Sequence, residues 1–209
     1  MHWEILDTQR QQLLPHLSFL KSFGFYLAGG TALALQIGHR TSIDFDFYTE
    51  TPFNEQSFEN AAVKNLPLLK VTQRAYGTLI GQIGRVDLSF FHYPYPHVQP
   101  LISSEYFEMS SIADIAAMKL IAISQRGLRR DFIDMYVIAK QYSLQQVFLW
   151  TRKKFSQFDP HVCLKALTYF DDAEKDESGR GTELKEKISW TTIKSFFEKE
   201  SVRLAKQWL

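Results

Sequence analysis

A single cysteine, Cys163, excludes an intrachain disulfide framework and fits a reducing compartment. No window approaches the ~18 uninterrupted apolar residues of a membrane-spanning helix. The opening residues, MHWEILDTQRQQLL, carry an early acid and lack the apolar core of a signal peptide. The expectation is a cytoplasmic chain with no membrane role. Neither sign of charge is in excess. Lys and Arg number 24 against 23 Asp and Glu, a formal net charge of +1. Bulk electrostatics therefore point neither toward nor away from nucleic acid, and any binding patch has to be local. A Walker A lysine motif, a Rossmann glycine fingerprint, internal repeats and low-complexity tracts are all missing. What remains is an ordinary globular composition, 45% hydrophobic and 22% charged. At 209 residues it can bury a substantial core without disulfides.

Periodicity divides the chain. Residues 8 to 23 place Leu13, Leu17 and Leu20 at helical spacing, with Pro15 near the start and Gly24 as a stop. FYLA (25 to 28) predicts a short strand feeding the Gly29-Gly30 turn. TALALQIG (31 to 38) predicts a helix with Thr31 as N-cap and Gly38 as C-cap. SIDFDFY (42 to 48) alternates, with Ile43, Phe45 and Phe47 on one face and Ser42, Asp44, Asp46 and Tyr48 on the other. A helix is expected near 54 to 65. Three strands, in LLKVTQRAY, TLIGQIG and RVDLSFF, are expected to join at glycines. The proline-rich HYPYPHVQP (92 to 100) is a linker or a loop crossing the surface. Helices are expected near 111 to 126, 129 to 142, 144 to 156, 160 to 173 and 189 to 208, with a polar loop over 171 to 181. The domains expected are an α/β core over 1–100 and a helical domain over 101–209.

Two constellations carry chemistry. Asp44 and Asp46 are two residues apart on a strand, so their Cα atoms lie ~6.5–7 Å apart on one face. Carboxylates at that spacing suit a pair of divalent ions, which sit ~3.5–4 Å apart in phosphoryl-transfer enzymes. Asp87, in the alternating RVDLSFF strand, completes a set of three if that strand lies beside 42 to 48. Taken alone, Asp-x-Asp is more often the solvent face of an amphipathic strand. The upstream turn shifts that balance, because Gly29-Gly30 before a helix lets phosphate approach backbone N–H groups closely.

The second constellation is helical. Lys119 points along an apolar face with Ile112, Ile115, Ala116, Ala122, Ile123 and Arg126. A buried ammonium needs a partner, either a protein carboxylate or a bound triphosphate, unless it snorkels to water. RGLRRDFIDMY follows, with Asp131 and Asp134 spaced i, i+3 after Arg126, Arg129 and Arg130. TRKKF (151 to 155) is a basic run, more often a solvated helix face than an RNA contact. His39 has no second histidine at ligand spacing, and Cys163 reads as packing rather than as a nucleophile.

A Gly-Gly turn followed after about ten residues by Asp-x-Asp on a strand resembles the signature of the DNA polymerase β-like nucleotidyltransferase superfamily. The longer string GGTALALQIGHRTSIDFDFY resembles its AbiEii-type branch, toxins of type IV toxin–antitoxin and abortive-infection systems. Thr31 stands where the superfamily usually has serine. Lys119, Arg126, Arg130, Asp131 and Asp134 resemble the later family motifs in order, so the resemblance spans roughly 26 to 140 in scattered blocks.

That resemblance implies an α+β fold, a polymerase β-like mixed sheet with helices followed by an α-helical C-terminal region. It implies transfer of NMP from an NTP to an acceptor hydroxyl, with Asp44, Asp46 and Asp87 holding two Mg²⁺ ions. Gly29, Gly30 and Thr31 would hold the β- and γ-phosphates. Lys119 would neutralise triphosphate charge and Asp131 would orient Lys119 or the acceptor. Arg40 would brace the Asp-x-Asp strand or contact phosphate. The implied acceptor is RNA, with the tRNA 3′ end foremost, and the implied partner is a cognate antitoxin. Two alternatives remain open: a small-molecule nucleotidyltransferase of the aminoglycoside-modifying kind, and a non-catalytic nucleotide-binding module.

Overall fold

A computed structural model describes residues 1–176 and 183–208. The chain divides into two compact units, Met1–Ser111 and Ile112–Leu209. The sheet lies in the first unit and the second is helical. No helix among the described residues is long and apolar enough to cross a membrane.

After a single 3₁₀ turn at Trp3–Ile5 comes α1 (Thr8–Leu13), capped by Asp7, whose side chain accepts from the Arg10 amide. From Leu14 to Phe23 the chain winds more tightly, with 3₁₀ geometry and Pro15 in its first turn. It stops at Gly24, as expected. Strand β1 is only Tyr26–Leu27. Helix α2 (Gly29–Ile37) starts two residues earlier than expected. Ala28 is its N-cap, so Thr31 lies inside the first turn. Gly38 closes the helix in the left-handed conformation at φ +74°, where the His2 ring leaves no room for a side chain. Strand β2 is Phe45–Thr49 and α3 is Glu55–Asn65, capped by the Asn54 side chain. Strands β3 (Lys70–Ala75), β4 (Thr78–Ile83) and β5 (Val86–His92) follow.

Two further strands were not legible from periodicity, β6 (Ile102–Ser103) and β7 (Glu108–Met109). Two residues are too few for an alternation to register. Residues 101 to 111, read from sequence as the start of the helical half, therefore add to the sheet. The seven strands run in the order β3-β4-β5-β2-β1-β7-β6. The sheet is mixed: β2 pairs β5 and β1 pairs β7 in parallel, and the other neighbours are antiparallel.

Alternation on β2 and β5 gives the sheet two unlike faces. Phe45, Phe47, Leu88 and Phe90 are at most 1% exposed. Phe47 and Phe90 stack at 5.7 Å, and Phe58 from α3 closes on Phe90 at 4.9 Å and on Phe25 at 4.7 Å. Each such ring stabilises the fold by about 1.5–3 kcal/mol on burial. The other face carries Asp44, Asp46 and Tyr48 from the β2 side and Asp87, Ser89 and Phe91 from β5. None of these is buried. HYPYPHVQP is a loop across this face rather than a linker between units. Tyr93 meets Tyr48 at 5.2 Å and His97 meets Tyr26 at 4.7 Å.

The second unit is built around α4 (Ile112–Gln125), whose apolar residues include the buried Ala113, Ile115, Ala116, Ala117, Leu120 and Ile123. It packs against α5 (Arg129–Ala139), α6 (Leu144–Lys154) and α7 (Pro160–Ala166). The helix expected over 160 to 173 is broken. It ends at Ala166, and a short α8 (Asp171–Lys175) begins inside the stretch expected to be loop. The remainder of that stretch, from 177 to 181, lies outside the described residues. Helix α9 (Trp190–Trp208) closes the unit, where Phe132 packs on Phe197 at 5.4 Å and on Phe170 at 5.2 Å.

Candidate active site

The expected neighbour relation holds: β5 lies beside β2, with Phe45 opposite Leu88 and Asp46 opposite Ser89. The positions just before the Phe45–Leu88 pair are Asp44 and Asp87. All three carboxylates therefore border the open face, across two adjacent strands. Asp44 and Asp46 are half-buried and Asp87 is exposed, accepting from Gln82 Nε2 at 3.1 Å.

The glycine turn abuts these strands. The Ala28 N–H donates to the Asp46 carbonyl at 3.0 Å. Gly29 has φ +68°, a region that disfavours side chains. A Cβ built there would lie 3.5 Å from Asp46 Oδ2, so the turn passes directly beside this carboxylate. No side chain caps the start of α2, and Gly29 and Gly30 are half-buried rather than covered. Peptide N–H groups at the start of a helix are suited to an anion.

Thr31 works differently from a simple phosphate ligand. Thr31 is 4% exposed, and its hydroxyl donates to the Asp44 carbonyl. With that hydrogen used, the 2.8 Å contact to Ser42 Oγ is donated by Ser42. Arg40, also 4% exposed, donates from Nη1 to the Thr41 carbonyl at 3.0 Å and to Ser42 Oγ at 3.3 Å. Of the two roles open for Arg40, bracing the segment ahead of β2 is the one these bonds describe. Thr31, Ser42 and Arg40 together pin the backbone at Asp44. Serine at position 31 would offer the same hydroxyl.

Magnesium takes one or two carboxylates and fills its shell with substrate phosphates and water. The Asp44/Asp46 pair beside an open phosphate turn fits that donor set. Among the described residues no group of three or more His, Cys, Asp or Glu side chains could hold a metal ion. The expected set of three, Asp44, Asp46 and Asp87, therefore does not close into one cation cluster, and the remaining oxygens would come from substrate and water.

Lys119 and Asp131 lie in the second unit, and Lys119 is met by protein carboxylates. Its ammonium reaches Asp131 Oδ1 at 2.8 Å and Asp134 Oδ2 at 2.6 Å, and both aspartates are fully buried. Asp134 is the nearer partner. Arg126 Nε donates to Asp131 Oδ2 at 3.2 Å, so two cations balance two anions. A further buried pair was missed: Lys154 Nζ donates to Asp114 at 2.8 Å, joining α6 to α4. Lys154 is thus neither solvated nor aimed at RNA, while Arg152 and Lys153 in the same run are exposed. An aspartate in an apolar helix was the available signal for Asp114. Arg10 was also passed over. It is 4% exposed and hydrogen-bonded to the backbone of both carboxylate-bearing strand segments.

Burial pushes the Cys163 thiol up to about 11, so it is no nucleophile at neutral pH.

A mixed sheet carrying a glycine turn, a helix N-terminus and strand carboxylates on its open face is the fold of nucleotidyltransferases. The nucleotidyltransferase toxin MenT4 of Mycobacterium tuberculosis superposes with a TM-score of 0.59, covering 93% of this chain and 84% of that one at 15% identity. The antibiotic-resistance factor ANT(2'')-Ia superposes at 0.51, covering 70% and 91% at 13% identity. The chain belongs to the family described as nucleotidyl transferase AbiEii toxin, type IV toxin–antitoxin system, whose sequence model matches residues 68–201. It is also 33% identical to an uncharacterized protein of Aquifex aeolicus over 205 residues, 94% of this chain and 96% of that one. The family match begins after Gly29, Asp44 and Asp46, so the argument for those residues rests on geometry. Membership makes the chain a toxin nucleotidyltransferase, with an NTP as substrate and an antitoxin as the partner such a toxin implies.

Proposed function

We propose that this chain transfers a nucleoside monophosphate from an NTP to a hydroxyl of RNA, with the tRNA 3′ end as acceptor, and releases pyrophosphate. The observation that carries this reading is the passage of the Gly29 turn beside the Asp46 carboxylate. A phosphate-binding element and a cation-binding element meet there. Asp44 and Asp46 are the residues that would hold Mg²⁺, and Asp87, on the neighbouring strand, stands on the acceptor side. Two bound Mg²⁺ ions would supply neutralisation of phosphoryl charge and a lowered pKa for the acceptor hydroxyl.

The protein's own part is positioning. The Gly29 and Gly30 amides bind the β- and γ-phosphates, and the Thr31 amide follows them in the same turn. The Thr31 hydroxyl and Arg40 hold the Asp44 backbone in place. Asp87 accepts the proton of the attacking hydroxyl. The oxygen–phosphorus bond forms at the α-phosphorus as the bond to pyrophosphate breaks. Lys119 already meets two carboxylates, so Lys119, Asp131 and Asp134 are assigned to support of α4 and α5 rather than to the triphosphate.

The test is incubation with each labelled NTP, Mg²⁺ and total RNA, with Asp44→Ala and Asp46→Ala beside the unmutated protein. Label entering tRNA only with the unmutated protein is the expected result. Label on an aminoglycoside instead would transfer the reading to the small-molecule class. A failure to bind any NTP would end both enzymatic readings.

A further inference from the structure

Arg10 stands outside every motif considered so far. Its Nε donates to the Ile43 carbonyl at 2.6 Å and its Nη2 to the Arg85 carbonyl at 3.1 Å. Its Nη1 is held by the Asp7 carboxylate, which also accepts from the Arg10 amide. One turn of α1 thus clamps two segments far away in sequence. Ile43 directly precedes Asp44, and Arg85 lies two residues before Asp87.

Both carbonyls fall before the first backbone pair of the parallel ladder, Phe45 opposite Leu88. The ladder's first pair reaches no further back than the Asp44 and Asp87 carbonyls, and ahead of it the guanidinium adds a second tie between the two segments. It is a planar fork with fixed donor directions, so it sets a separation as well as an attraction. Gln9, on the same turn, adds a bond from Nε2 to the Ile83 carbonyl at 3.2 Å. A buried guanidinium with only a packing task could take carbonyls anywhere. This one takes the carbonyl next to Asp44 and the one two residues before Asp87.

We propose that Arg10 is a positioning residue that fixes the backbone ahead of Asp44 against the segment before β5, and hence sets the affinity of the Asp44/Asp46 pair for its divalent cations. This rests on the carboxylate reading given above. Residues that orient metal ligands from behind typically change metal affinity by about 10–100-fold when removed.

The test compares unmutated protein, Arg10→Met, Arg10→Lys and Leu164→Ala. The last removes a buried side chain in the second unit and serves as a control for general loss of stability. Mn²⁺ binding to each protein is followed by loss of the free-ion electron paramagnetic resonance signal. The Mg²⁺ concentration for half-maximal label transfer is measured in parallel, well below every melting temperature. Arg10→Met is expected to weaken Mn²⁺ binding by about tenfold or more and to raise the Mg²⁺ requirement alike. Arg10→Lys, with a single ammonium in place of the fork, is expected to fall between. Leu164→Ala should match the unmutated protein in both. If Arg10→Met does not fold, Arg10→Lys carries the comparison. Unchanged Mn²⁺ affinity in the Arg10 variants, beside an active unmutated protein, overturns the proposal alone. So does an equal shift in Leu164→Ala, which would make the effect one of general stability. Absence of both Mn²⁺ binding and transfer in the unmutated protein overturns the active-site reading together with it.

Discussion

The two units place their aspartates in opposite environments. In the sheet unit, Asp44, Asp46 and Asp87 border a face that reaches solvent. In the helical unit, Asp114, Asp131 and Asp134 are fully buried, each within 2.8 Å of a lysine ammonium. Both arrangements look alike in sequence, as acids set among apolar residues. Their energetics differ. A buried pair neutralises itself, and its geometry is needed to offset the loss of hydration. Neighbouring carboxylates on an open face repel one another, and a bound cation relieves that repulsion. On the function proposed above, the first arrangement is architecture and the second is a place for a ligand.

Four sets of measurements test that contrast. Asp44→Asn and Asp46→Asn should each reduce NTP label transfer by about a hundredfold or more, because they remove charge at the reacting phosphoryl group. Their thermal melts should stay close to that of the unmutated protein, since neither carboxylate is buried. A variant that loses stability but keeps activity would reverse the assignment of the two faces.

The helical unit should respond the other way. Lys119→Met or Lys154→Met leaves buried aspartates uncompensated and should cost about 3–5 kcal/mol in urea unfolding. The double change Lys154→Met with Asp114→Leu removes both charges and should recover most of that loss. A cost under about 1 kcal/mol for the single changes would show that water reaches these pairs.

Thr31 sharpens the comparison within the sheet unit. Thr31→Val keeps the shape, loses the bond to the Asp44 carbonyl, and strands buried polar groups at a cost of about 1–3 kcal/mol. Transfer should fall with it, whereas Thr31→Ser should stay near the unmutated rate. Equal loss in both would mean that the methyl group, not the hydroxyl, is needed. The smallest effect concerns Cys163. Its thiol is pushed up to about 11 by burial, so it stays protonated at pH 8. Alkylation by iodoacetamide at pH 8 should be far slower than for an exposed cysteine, and should quicken as pH rises toward 11. Rapid labelling of native protein at pH 8 would contradict that burial.

Strongly periodic segments were legible. The alternation of Phe45 and Phe47 about Asp46, the β3–β5 meander with turns at Gly77 and Gly84, and the long helices α4 and α9 appear where local pattern places them, but β2 begins at Phe45 rather than at 42, with Ser42 buried and Ile43 only half-buried ahead of it. Helix α2 was recognised, but its first residue was not. Thr31 looks like a cap by residue type, yet its hydroxyl turns to Asp44, thirteen residues on. Strands β6 and β7 were invisible because two residues hold no period. Lys119 was singled out as a charge on an apolar face. Arg10 sits at the same kind of position, three residues before Leu13, and would have yielded to the same reasoning.

By itself the amino-acid order determined which residues alternate, which coil, and where glycine is required. Those are properties of a few neighbouring residues and of backbone sterics. It also set the family resemblance, now shown by membership in the AbiEii toxins. Only the tertiary structure decided which charge meets which. Arg10 finds carbonyls 33 and 75 residues away, Lys154 finds an aspartate 40 residues back, and β5 lands beside β2 across an intervening helix and hairpin. A hydrogen bond or ion pair depends on distances of a few ångströms. Such distances are set by how the layers pack, and local pattern carries no record of them.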